Sequence, residues 1–450
     1  MVELLVPDEE EAMKLVSGLF RRGEAGEGFR ERKTRVLWRG TDTGLTGGAR
    51  LEEEGTAIRI RGKEHSLLVA RDGISHEVFR AAVREAGRRN GSAPFFKATR
   101  LPVPPTRQPD LGVEKVIDEL GLSLSSLITR LSREAGRPHF KLRASWILDR
   151  RAVITPKRAV ECALPARLEA SASIRFSTRQ MEFSFHSAAF MGAALDSLEA
   201  ALVAALHEER EVEPPEGEVS AVLAPEAAAV FWHEVVGHCL ESDGAEISSV
   251  LGRVQGAAVA PAGLDVLASA SRVDLPGGYI FDDEGQPARD VALLREGCVA
   301  GVLTSGQTAG RESNGHGRTS DYRRPPRARI SNLIVRNGET EPPELLERCG
   351  DGLLVSRVSF GAADPESGRF VMFVEEGRLV RKGKAGPRLR RFSLTGYALD
   401  ALHGMDSSLG NDAVPATSLS ICQKGGDPVP AGAVSPSVLI HGLTARSSRP

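Results

Sequence analysis

The chain is 450 residues long, 41% hydrophobic and 26% charged, with 58 basic against 60 acidic residues and a formal net charge of -2. These values exclude a chain that is disordered or collagen-like as a whole, and they leave no overall field to draw it onto nucleic acid or anionic lipid. The length fits two or three domains, each able to bury its own core.

The N-terminus runs from Met1-Val2-Glu3-Leu4-Leu5 into Asp8, Glu9, Glu10 and Glu11, the wrong charge order for a secretory signal. No apolar stretch reaches the roughly 20 residues of a membrane helix. Cys162, Cys239, Cys298, Cys349 and Cys422 are odd in number and scattered, without a CxxC pair, which fits neither a disulfide framework nor a zinc ribbon. The expected setting is cytoplasmic and reducing, with no membrane and no nucleic acid as partner.

In chain order, residues 56–61 alternate Ile58 and Ile60 with Arg59 and Arg61, and the apolar residues 67–70 follow a turn at Gly62, which predicts a hairpin. Ser75 is placed to cap a helix carrying Val78, Ala81, Ala82 and Ala86 and ending at Asn90-Gly91. Helical spacing recurs over 113–131, and again over 190–210 through Leu195, Leu198, Leu202 and Leu206. Between these helices, residues 142–148, 168–176 and 181–186 read as strands. The acidic, proline-rich residues 211–218 cannot continue the preceding helix and mark a boundary. The expectation is an α+β protein: an N-terminal α/β sheet-and-helix domain over residues 1–212, then a β-rich C-terminal domain over 213–450. In the second half one helix opens near Pro225. The remainder reads as strands: 291–303 broken at Glu296-Gly297, 328–335, 353–359, and 369–380 broken at Glu376-Gly377.

The helix near Pro225 carries the chemistry. It contains His233-Glu234-Val235-Val236-Gly237-His238, one residue longer than the HExxH signature in which two imidazoles grip zinc and the glutamate acts as base. Residues five apart on a regular helix point about 140° apart. Both imidazoles reach one metal only if the helix widens or bends, so a distortion is predicted over 235–238, with Gly237 as the place where backbone adjustment strains least. A catalytic zinc takes three protein ligands and keeps a position for water, so a third ligand is required. Glu241, on the same helical face as His238, and the distant His316 and Cys422 are candidates that spacing alone does not separate, while Cys239 points about 100° away from His238.

Further segments follow in a recognisable order: Leu275-Pro276-Gly277-Gly278 leading to Asp282-Asp283-Glu284-Gly285; Asn314-Gly315-His316-Gly317-Arg318 followed by Arg327-Ala328-Arg329-Ile330-Ser331-Asn332; Ser359-Phe360-Gly361; Ser367-Gly368-Arg369-Phe370; and Ile421-Cys422-Gln423-Lys424-Gly425-Gly426-Asp427-Pro428-Val429-Pro430. Together with the helix they make residues 220–450 resemble the TldD/PmbA zinc metallopeptidases, and the intact His-Glu-x-x-x-His resembles the active, TldD-like subunit. The resemblance implies Zn2+ held by His233, His238 and Cys422, with Glu234 as the catalytic carboxylate. It further implies a homodimer, or a heterodimer with a PmbA-like paralogue, enclosing a cavity that admits unfolded peptides.

Within that frame Arg318 and His316 are the expected oxyanion donors, and Glu241 and Asp243 the expected orienters of the imidazoles. The basic cluster Arg323, Arg324, Arg327 and Arg329 reads as an interface or a peptide-carboxylate contact, since it has no interleaved aromatics. Cys239 stands where the family commonly has glycine and is a competing thiol beside a ligand. A non-catalytic peptide-binding scaffold is the competing function, and the intact His-Glu-x-x-x-His argues against it.

Overall fold

The computed structural model describes residues 8–21, 23–62, 66–90, 113–133, 139–175, 180–187, 199, 211–242, 249–308, 312–416 and 421–447. The helix expected over 190–210 lies, but for one residue, outside them. The fold is mixed and β-rich, as the α+β expectation has it. Among the described residues no helix is long and apolar enough to cross a membrane.

Seven antiparallel strands form the first sheet, in the order Ser66–Asp72, Gly44–Arg61, Ala25–Thr41, His139–Ile154, Arg167–Arg175, Gln180–Ser187, with Ala159–Ala163 also paired to His139–Ile154. The expected hairpin is present, with Arg61 opposite Ser66. The helix His76–Asn90 follows, and the Ser75 hydroxyl accepts the Val78 N–H at 3.3 Å. Helices His76–Asn90 and Val113–Leu131 each bury one apolar stripe against this sheet, Phe79, Ala82 and Ala86 from the first and Leu120, Leu124 and Leu127 from the second.

In the second half, strands Gly352–Ala363, Gly217–Leu223, Val438–Ser447, Phe392–Tyr397 and Arg369–Arg381 pair in a closed ring. A six-stranded sheet runs Cys298–Val299, Asp290–Arg295, Val266–Ser269, Asn332–Val335, Gly432–Ser435, Val414–Pro415. The pair Glu211–Val212 joins the ring side through Lys384–Leu389. The helix Pro225–Trp232 lies between ring and sheet, and Ala227 to Trp232 are all buried. Phe231 meets Phe370 of the ring edge-on at 5.8 Å, while the Trp232 Nε1 donates to Ser435 Oγ of the sheet at 3.0 Å. Both anchors immediately precede His233, so the packing of the core sets the position of the site.

Three expectations for the second half need correction. Arg369–Arg381 runs straight through Glu376-Gly377. Gly377 is there for close packing, since a Cβ would lie 3.1 Å from Phe392 Cε1, and the turn comes at Lys382-Gly383, where φ is +48° and +72°. The stretch 328–335 is two strands, Arg327–Ala328 and Asn332–Val335, interrupted where Arg329 turns inward. Two short helices not foreseen, Pro342–Cys349 and Ala398–His403, cap the ring.

Candidate metal centre

Pro225 sits in the first turn of its helix, where a missing N–H loses no partner. The helix then widens into a π turn, His233–Gly237, and tightens into a 3-10 turn, His238–Leu240. The His238 N–H donates to His233 O, five residues back rather than four. That extra residue in the turn carries the second imidazole round to the first, and the ring centroids are 4.8 Å apart at 88°. The distortion starts two residues before the expected stretch. Its cause also differs: Gly237 has ordinary helical angles, φ -58° and ψ -63°. What requires glycine is space, because a Cβ there would lie 2.6 Å from Ile330 Cδ1 and 3.2 Å from Leu333 Cδ1.

Cys422 arrives on a hairpin from the far end of the chain. Ile421–Lys424 pairs with Asp427–Pro430 across Gly425-Gly426, whose φ values of +56° and +73° define a turn that glycine adopts without strain. The Cys422 Sγ lies 3.7 Å from His238 Nε2. One donor atom from each of His233, His238 and Cys422 falls within 4.8 Å of the others, all three residues are buried, and among the described residues no other His, Cys, Asp or Glu cluster has this compactness.

The surroundings favour a thiolate. Burial and the Glu241 carboxylate push the Cys422 thiol up, but His238 and His233 outweigh them and hold it at about 5. Burial pulls the His238 imidazole down, whereas Glu241 and Cys422 raise it well above its ordinary value. Glu241 accepts from His238 Nδ1 at 2.9 Å, from the Ile330 N–H at 2.9 Å and from Lys424 Nζ at 2.8 Å. Burial would raise that carboxyl, yet His238, Lys424 and Arg329 hold it far below the usual range. Two imidazoles and a thiolate buried together, one imidazole oriented by a carboxylate, are a donor set that suits zinc. His233 keeps a buried Nδ1 without a hydrogen-bond partner.

The remaining predicted residues separate into two groups. Glu234 is buried on the π turn beside the imidazoles and faces the strand Gly352–Ala363, where a Cβ on Gly361 would lie 2.7 Å from Glu234 Cγ and 3.2 Å from its Oε1. Arg318 and His316 belong to the packing behind the cluster. Arg318 donates to Ile330 O at 2.7 Å and lies over the Tyr279 ring at 4.9 Å. His316 is fully buried between Asn314 O and Ser331 Oγ, and burial pushes its imidazole down to about 4. Both are buried, on and beside the short strand Gly317–Arg318 that pairs antiparallel with Arg327–Ala328, so the oxyanion role expected for both is not supported by their placement. Cys239 turns away from the cluster toward Glu234 O at 4.0 Å, and burial raises its thiol to about 12. Asp243 lies outside the described residues. Arg329 and Lys424 stand at the site without having been expected there. Arg329, expected as part of an interface or peptide-carboxylate cluster, is fully buried against Cys422, while Arg323 of the same cluster pairs with Glu53 and Asp72.

The family profile described as PmbA/TldA metallopeptidase C-terminal domain matches residues 216–447. A metalloprotease of Methanocaldococcus jannaschii is 31% identical over 222 residues, 48% of either chain. A zinc metalloprotease TldD homolog of Saccharolobus solfataricus is 25% identical over 236 residues, 51% of this chain and 52% of that protein. The chain thus spans about half the length of the curated relatives it matches. The crystal structure of TldE from Thermococcus kodakarensis superposes with a TM-score of 0.76 over 97% of this chain and 99% of that one, at 16% identity, a likeness of fold.

Proposed function

This chain belongs to the PmbA/TldD metallopeptidase family, and on that premise we propose that it is a zinc-dependent peptidase acting on unfolded or small peptides, inside a cavity closed by a second subunit, identical or a PmbA-like paralogue. The observation that carries the reading is the meeting of His233, His238 and Cys422 within 4.8 Å, with Glu234 on the same turn.

Zinc, when bound, supplies Lewis acidity, enough to make a water nucleophilic near neutral pH. The chain's own residues do the rest. Glu234 accepts the proton of the attacking water and returns it to the leaving amine. Glu241 fixes the tautomer and direction of the His238 ring by accepting from Nδ1. Substrate selection by extended backbone is supported by the Cys422 hairpin. Antiparallel alternation from the Gly425-Gly426 turn puts Cys422 opposite Val429 in a hydrogen-bonded pair and Gln423 opposite Pro428 in a non-bonded one, so the Gln423 N–H and C=O face outward. Among the described residues nothing pairs with that edge, and a peptide laid along it would run beside the thiolate.

The direct test is zinc content together with cleavage of an unstructured peptide by the purified chain, alone and with any partner that co-purifies. About one zinc per chain is expected, with turnover lost to a chelator and restored by zinc. A metal-free chain, or a zinc-loaded assembly that cleaves no unstructured peptide, would refute the reading and favour a peptide-holding scaffold.

Gly361→Ala is a finer probe. The new Cβ would meet both Glu234 Cγ and Val230 Cγ1 at 2.7 Å, and the helix they stand on is clamped by Phe231 and Trp232, so the carboxylate must shift. A displacement near 1 Å lowers turnover on the order of 10²-fold. Zinc content should not change, which steady-state kinetics and metal analysis of the same sample will show.

A further inference from the structure

Arg329 has no solvent exposure, yet it carries a full charge into the core beside the cluster. Its Nη2 donates to Cys422 O at 2.7 Å and to Cys422 Sγ at 3.2 Å. Its Nη1 donates to Asp427 O at 2.8 Å and lies 3.5 Å from Asp427 Oδ2. Its Nε is 3.8 Å from Glu241 Oε1, the carboxylate whose other oxygen takes the His238 Nδ1. One planar group therefore touches the thiol arm of the site, the turn that presents it and the carboxylate that orients the imidazole arm. The fork geometry matters, since an ammonium in the same place would be a point charge unable to span these partners at fixed angles.

We propose that Arg329 is a positioning residue of the metal centre, holding Cys422 in register with His238 and, through its N–H···S hydrogen bond, drawing electron density from the sulfur so that the bound metal keeps a stronger pull on its remaining ligand. The proposal rests on the metal-site reading above. A hydrogen bond to a coordinating thiolate stabilises the sulfur lone pairs, so its removal makes the sulfur a better donor to the metal and brings sulfur-to-metal charge transfer to lower energy. A residue that merely clips Asp427 to the hairpin would leave that transition where it is.

The experiment is a cobalt(II) titration of the full-length chain, wild type against Arg329→Met and Arg329→Lys. Affinity is read by chelator competition, the thiolate-to-cobalt band by absorption, and the fold by circular dichroism. Arg329→Met is expected to bind cobalt about 10–100-fold more weakly, because losing the contacts that hold Cys422 and its turn in register outweighs the better donation of the sulfur, with the band moved to longer wavelength. Arg329→Lys keeps a single donor for the hairpin but not the fork, so a smaller loss of affinity with the same direction of band shift is expected. If Arg329→Met does not fold, Arg329→Lys carries the test alone. A folded variant with wild-type affinity and an unmoved band overturns the positioning role while leaving the metal site standing. A wild-type chain that shows no cobalt–thiolate band overturns both.

Discussion

Glu234→Gln is expected to lower peptide turnover by on the order of 10³-fold while zinc content stays at about one per chain. Glutamine has nearly the shape of glutamate, so it keeps its place against Gly361 and disturbs neither the π turn nor the packing of Val230. It has no carboxylate to accept a proton from the attacking water, and general base catalysis contributes about 10²–10⁴-fold in such sites. Metal retention follows from the geometry, since the compact donor group comprises His233, His238 and Cys422 without Glu234. Peptide affinity should change little, because the carboxylate acts on the water rather than on the peptide backbone. The measurement is kcat and KM on one unstructured peptide, with zinc determined on the same preparation. Turnover within tenfold of wild type would move the base to another residue; loss of zinc would make Glu234 a ligand or its support.

These expectations were open to a reader of the sequence to very different degrees. The helix from Pro225 is legible because propensity, the proline at its start and an unbroken apolar run all agree, and the need for a π turn follows from angle alone once both histidines must face one point. Cys422 is not legible from spacing, since it lies 184 residues beyond His238 and only the fold of the hairpin brings it within 3.7 Å. Arg329 is hidden for a related reason. In a run containing Arg323, Arg324 and Arg327 it looks like one more solvated cation, and nothing local tells that the chain turns at 329 to bury it beside a thiolate.

A different obstacle hides part of the first sheet. Ala25–Thr41 is not foreseen as a strand because its buried positions do not read as hydrophobic, and the start of Gly44–Arg61 is not foreseen because it is largely exposed and carries no apolar alternation. Glu27, Glu31, Arg59, Asp149 and Arg151 are all buried there. Arg151 alone contacts Glu31 at 3.1 Å, Asp149 at 2.7 Å and Asp283 of the second half at 2.6 Å, while Arg59 donates to Asp283 O at 2.8 Å. Periodicity methods see apolar alternation, and a face built of mutually neutralising charges shows none. The acidic Asp282-Asp283-Glu284 run belongs to this contact between the halves, which fixes the sheet of the N-terminal half to the loops around the site.

Cys422→Ala carries the largest consequence, expected to reduce zinc from about one per chain to a trace and turnover to background. Losing one of three protein ligands removes roughly a third of a metal-binding free energy of about 10–16 kcal/mol, which is about 10²–10⁴-fold in affinity. The side chain is fully buried, so its truncation also leaves a small void, but removing one sulfur from a hairpin costs only about 1 kcal/mol and cannot account for a loss of metal. Cys422→Ser separates the two effects, since it fills the void yet offers a hydroxyl that stays protonated where the thiol ionises at about 5. It should lose zinc nearly as completely while melting close to the metal-free wild type. Cys239→Ala is the matched control: its thiol, raised to about 12 by burial and turned toward Glu234 O, is expected to contribute nothing to binding, and zinc should remain at the wild-type level. Metal analysis of the three variants decides among the thiols. Zinc retained in Cys422→Ala and lost in Cys239→Ala would exchange their roles, and that outcome would require the 3-10 turn at His238–Leu240 to unwind when the ion binds.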